Sequence, residues 1–288
     1  MKNITKSGFG IGTLIFVAAA IIALPIRTLQ YFTVLESDSG FFSENDWSVF
    51  TLGIAAGASI LAILVLGFLK RKKLDYSLEV TKRPGQGILS FTAAAGILMS
   101  AVDCLVKIMN DDSFAAEEKT ASLLLGIQAV FALFSAIYFV ALGASYLTGK
   151  SNGSEYRLIS LAPVVWSIFR LVIRFTRTIS YIRVSDLMLE MIMIVLLIMF
   201  FMAFAQVNSR VDADNKEWKI AAFGLPAALL ALICFVPRFI VTVTGNADLL
   251  HEQSPAEYCD LGVALFIIST VLTRVTVKLP EASSTEEK

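Results

Sequence analysis

Histidine is nearly missing from this chain, with His251 the single one among 288 residues. That scarcity leaves no material for a histidine-based metal centre or a Ser-His-Asp constellation. Cysteine is rare as well. Cys104, Cys234 and Cys259 form an odd set without paired spacing, and are expected as small packing residues rather than disulfides or ligands. No His-Glu-x-x-His or Gly-x-Ser-x-Gly motif occurs, and Gly8-Phe9-Gly10-Ile11-Gly12 runs into an apolar stretch without the lysine that a phosphate loop requires. No enzyme activity, cofactor or metal is expected. Charged residues make up only 17% of the chain and their formal sum is zero, so nothing supports nucleic-acid binding.

Apolar residues are abundant instead. At 56% of the chain, with a mean hydropathy of +0.73, they exceed the usual globular balance and indicate an integral membrane protein. About 20 apolar residues cross the hydrocarbon core as a helix. Runs of that kind cover 8–31, 47–69, 87–109, 121–147, 158–181, 187–207, 220–243 and 258–277. The last is the weakest, because Arg274 interrupts it. The runs are continuous rather than alternating, which argues for helices over the short strands of an outer-membrane barrel. The expected fold class is therefore all-α: a polytopic helical transmembrane bundle of eight spans in four hairpins. It forms one transmembrane domain over 1–279, with a short polar tail at 280–288. A cleavable leader is the competing reading of the first run. Its apolar character continues past Ala18-Ala19-Ala20 to Tyr31, which favours a retained span.

Lysine and arginine outside the runs fall on one side, including Lys2, Lys6, the cluster Lys70-Arg71-Lys72-Lys73, Lys82, Arg83, Lys150, Arg157, Arg210, Lys216, Lys219 and Lys278. Opposite loops carry Lys119 and Arg183 against many acids, among them Asp186, Glu257 and Asp260. The positive-inside rule makes the first side cytoplasmic and puts both termini there, in the cell membrane.

An internal likeness links the first and last hairpins. Pro25 and Arg27, then Asp46-Trp47, recur as Pro237 and Arg238, then Glu257-Tyr258. This suggests a weak parallel repeat.

The odd-numbered runs each carry cations in their outer half: Arg27, Lys107, Arg170 with Arg174 and Arg177, and Arg238. At helical spacing they fall on polar stripes: Thr92, Gly96, Ser100, Asp103 and Lys107 on the third run, and Pro163, Ser167, Arg170, Arg174, Arg177 and Tyr181 on the fifth. Odd helices inside and even helices outside is the expected packing. Gly53 and Gly57 are expected as a close-approach pair on the second run.

Charge at membrane depth is costly and marks function by default. Arg27, Arg177 and Arg238 are near enough to helix ends to reach the interface by snorkelling. Arg170 needs an internal partner, and Asp103 and Glu190 are the expected charge partners. If Asp103 instead pairs with Lys107 four residues on, positive charge is in surplus. Arg27, Lys107, Arg170, Arg174 and Arg238 then form a candidate site for an anionic small molecule or lipid head group entering from outside, since guanidinium groups suit carboxylate and phosphate. Tyr31, Phe32, Trp166 and Tyr181 are candidates for its apolar lining. A transporter or flippase is the expected function. The alternative is a non-transporting membrane subunit or sensor, whose embedded charges pair internally or with a partner chain. A voltage sensor fits poorly, because its cations would recur every third residue over several turns. Membrane lipids are the expected surroundings.

Overall fold

The computed structural model describes residues 9–34, 46–76, 82–110, 116–149, 158–176, 184–209, 217–250 and 256–277. Eight helices are present among them: α1 Gly10–Thr33, α2 Trp47–Leu69, α3 Pro84–Asn110, α4 Ala116–Thr148, α5 Ala162–Thr176, α6 Val184–Asn208, α7 Trp218–Val243 and α8 Tyr258–Arg274. Their boundaries follow local chemistry. Asp46 precedes α2 and accepts the backbone N–H of Ser48 at 2.7 Å, which satisfies a donor that the first turn leaves orphaned. Burial is nil at this carboxyl, and the hydrogen bonds from Ser48 hold it below its ordinary range. Pro84 opens α3, where its missing N–H costs nothing. Past the end of α7, Gly245 takes φ +80° and Asn246 donates to Val241 O at 3.1 Å, a Schellman closure that only glycine enters without strain.

Seven helices are long and apolar enough to cross a membrane, and the chain is a membrane-spanning helical bundle. α8 departs from the expected eighth span. It has 17 residues and stops at Arg274, where the chain turns extended. Val275–Val277 then pairs antiparallel with Leu74–Tyr76, as β2 and β1, with Tyr76 opposite Val275. This three-residue ribbon is the only departure from helix beyond turns among the described residues. It satisfies backbone groups that would otherwise be unpaired where α8 ends.

Helix packing closes a ring in chain order, α3 on α4, then α5, α6, α7 and α8, with α8 returning to α3. The hairpin α1–α2 lies outside this ring, both of its helices resting on α7. The odd-inside, even-outside expectation is therefore corrected. α7 is the buried helix, with 83% of its apolar window enclosed against 22% for α2, while α1 reaches only 33%. α7 touches α1, α2, α6 and α8, so a small-residue face including Gly224, Ala227, Ala228 and Ala231 is enclosed.

Small residues mark contacts, but not where Gly53 and Gly57 were expected to. Nothing lies within 4 Å of where a side chain would sit on either. The close approach is between α3 and α8. A Cβ on Gly96 would meet Tyr258 O at 2.7 Å, and one on Gly262 would meet Thr92 O at 2.7 Å. These pairings make the two helices antiparallel and fix the start of α8 beside the middle of α3. Below that level Phe139, Phe200, Phe201, Phe204 and Phe266 fill the interior, Phe139 and Phe266 meeting edge to face at 5.0 Å. At the far end, the buried Arg274 guanidinium lies over the Tyr146 ring at 4.5 Å and donates to Gln86 at 3.2 Å. Burial there pushes the Tyr76 hydroxyl well above its ordinary pKa.

Candidate functional site: a charge ladder and the cavity beside it

Arginines near the C-terminal ends of α1, α5 and α7 meet acids at the starts of α6 and α8. Both placements suit the helix dipoles. The charges alternate in one continuous ladder. Arg27 pairs with Asp186. Arg238 reaches Asp186 at 3.8 Å and pairs closely with Glu190. Glu190 also takes Arg174 at 3.2 Å. Arg174 and Arg170 both pair closely with Glu257, and Arg170 ends the ladder on Asp260 at 2.7 Å. Neutral groups support it. Tyr31 donates to Asp186 at 3.0 Å and receives Arg238 Nε at 3.3 Å, while Gln30 bridges Arg27 at 2.7 Å and Ser48 at 3.2 Å. Arg170 also lies over the Trp166 ring at 5.5 Å.

Four of the five expected cations, Arg27, Arg170, Arg174 and Arg238, thus converge, each 3–5% exposed. None of them snorkels. The surplus of positive charge is corrected, since four carboxylates match the four guanidinium groups. Glu190 pairs with Arg174 and Arg238 rather than with Arg170, the cation it was expected to neutralise. Asp103 does not pair with the arginines, and no ion pair joins it to Lys107 among the described residues. Arg170 finds Glu257 and Asp260 instead. Arg177 and Tyr181 lie outside the described residues. Phe32 points away, 42% exposed, so it lines nothing, whereas Tyr31 and Trp166 are buried within or beside the ladder.

The acids that sequence reasoning missed are Asp186, Glu257 and Asp260. They sit at the very starts of α6 and α8, where hydropathy assigns them to loops. One signal was available. Asp186 and Glu190 are four residues apart, as are Arg170 and Arg174, so each pair shares a helical face, and Glu190 meets Arg174 where the two faces touch.

A cavity of about 360 Å³ opens beside the ladder, between α3, α4, α5 and the start of α8. Lys107, Asp103 and Ser100 reach it from α3, Gln128 from α4, Arg170 and Arg174 from α5, and Glu257 from the segment leading into α8. Glu257 is the ladder's most accessible acid, with its side chain 21% exposed. Oxygen and sulfur atoms of Glu257, Cys259 and Asp260 lie within 4.8 Å of one another. This trio is poorly suited to a metal ion, because guanidinium groups already occupy both carboxylates and would face the cation. Compared with known family models, curated proteins and solved structures, the chain matches none.

Proposed function

We propose that this membrane protein binds a small molecule or lipid head group bearing an anionic group, from the outer side, and acts as a transporter or flippase in the cell membrane. The observation that carries the reading is Lys107. It lines the cavity, is exposed, and forms no ion pair among the described residues, although Glu257 on the facing wall stands near enough to feel its charge. The arginines contribute differently from the sequence-based expectation. Their charges are matched, so they set a polar wall instead of supplying the free positive charge. The asymmetry of Lys and Arg between loops supports cytoplasmic termini and, with them, an outward-facing cavity.

A thermal-shift screen of purified protein against carboxylates, inorganic phosphate and lipid phosphates tests the reading, because a ligand that binds only the folded state raises the melting temperature. Lys107→Gln is the informative variant, since it leaves the ladder intact. A shift that the variant abolishes is expected. No Lys107-dependent shift across the panel removes the proposal.

The matched ladder itself favours a second reading, a non-transporting membrane subunit or sensor in which paired charges only hold helices in register. In that case solute panels have no effect, proteoliposomes show no exchange of labelled solute, and only ladder variants disturb the protein.

A further inference from the structure

Asp103 and Lys107 stand four residues apart on α3, in the order that favours an intrahelical ion pair. They remain unpaired with each other, both exposed, and both line the 360 Å³ cavity. Gln128 faces the same space from α4. It is 6% exposed as a residue, and its amide, which takes no hydrogen bond among the described residues, is open to the cavity rather than sealed off from it. Arg170, Arg174 and Glu257 complete the charged lining, but each is already engaged in the ladder. Among the described residues the cavity therefore offers one cation and one carboxylate, a helical turn apart and neither held in an ion pair, and one amide able to donate and accept.

We infer that the solute held in this cavity is zwitterionic, with its anionic group on Lys107, its ammonium on Asp103 and the Gln128 amide bridging between them. The inference rests on the reading of the cavity as a binding site and narrows its ligand. A purely anionic solute on Lys107 would face the Asp103 carboxylate at close range, and like charges repel. A molecule bearing both charges satisfies both walls. The volume is at the low end of ligand pockets, which span about 300–1,000 Å³, so a small free zwitterion fits, and so does a lipid head group of the same chemistry.

The test is binding to the purified full-length protein, read by calorimetry and thermal shift. The free panel is glycine, β-alanine and phosphoethanolamine against acetate, propionate and inorganic phosphate, which lack the amine. The lipid arm compares nanodiscs of phosphatidylethanolamine with nanodiscs of phosphatidylglycerol. Amine-bearing compounds are expected to bind at least tenfold more tightly than their amine-free counterparts. Asp103→Asn should erase that margin while leaving anion binding, and Lys107→Gln should weaken both classes at least tenfold. Gln128→Met keeps the volume, removes the amide and should also weaken both. Stabilisation by the phosphatidylethanolamine nanodiscs alone identifies a lipid as the source of the same chemistry. Equal binding with and without the amine, unaffected by Asp103→Asn, overturns the zwitterion and leaves the anion-binding reading standing. Absence of any Lys107-dependent binding overturns both.

Discussion

Glu190 receives a guanidinium on each oxygen, from Arg238 on one side and Arg174 on the other. Neutralising it leaves two buried cations with a partner lost. Removing one member of a buried pair typically costs about 3–5 kcal/mol, mostly from the stranded charge. Glu190→Gln is therefore expected to lower the melting temperature strongly, whereas Lys107→Gln, exposed and outside the ladder, should stay within about 0.5 kcal/mol of the parent. Thermal unfolding in detergent compares the two directly. A double-mutant cycle on Glu190 and Arg238 should return a coupling of about 0.5–3 kcal/mol. Additive losses would show that the two side chains do not interact. Asp260 at the other end of the ladder has Arg170 as its one cationic partner among the described residues, so Asp260→Asn should disturb Arg170 without reaching Arg27.

At the scale of elements, the α3–α8 crossing decides where Glu257 and Asp260 stand. Gly96 and Gly262 each place a hydrogen where any side chain would strike the opposing backbone. Backbone cannot swing aside as a flexible side chain does. Gly262→Val should therefore cost about 1–3 kcal/mol as overpacking and should also weaken binding in the cavity, because the start of α8 forms one wall. Gly57→Leu serves as the matched control, since nothing lies within 4 Å of that site. A pronounced loss from Gly57→Leu would reveal another helix seated on α2. The Asp46 cap gives α2 a pH signature. Its folded pKa lies below the ordinary 3.8, so its contribution is fully present above that value and is lost as pH falls through the lower folded one. Hydrogen exchange in the first turn of α2 should quicken over that acid window. Asp46→Asn, which keeps the cap without the titrating group, should remove the change.

Viewed whole, the six-helix ring has a polar layer at each end and an aromatic filling between them. About ten residues of α6, roughly 15 Å of rise, separate Glu190 from Phe200. The filling is close-packed, its rings meeting at 5.0 to 6.1 Å, so a solute moving between the two layers is expected to require helices to shift. Orientation is testable on the same scale. Single cysteines introduced at Lys72 and at Asn246, in a background with Cys104, Cys234 and Cys259 replaced by alanine, should label from opposite faces of sealed vesicles, Lys72 from the cytoplasmic one. Labelling of both from one face would contradict the positive-inside reading.

Residues 10–33, 47–69 and 218–243 were legible as helices because continuous apolar runs of spanning length have few other stable forms in a bilayer. Arg27, Arg170, Arg174 and Arg238 were legible as a group for a related reason: buried cations stand out against apolar neighbours. Their partners were not. Asp186, Glu257 and Asp260 border the runs, and hydropathy cannot distinguish an acid in solvent from one folded inward at a helix start. The ends of α8 were obscured in the same way, since Arg274 reads as an interruption until Tyr76 and Tyr146 are brought around it.

Sequence alone determined the membrane class and the helical content, because each follows from the transfer cost of local segments. Only the tertiary structure decided that these cations are matched, that α7 instead of every odd helix is central, and that Lys107, Asp103 and Gln128 share one cavity. Pairing and enclosure depend on contacts between residues far apart in the chain, and periodicity along one helix carries no information about which face of another will meet it.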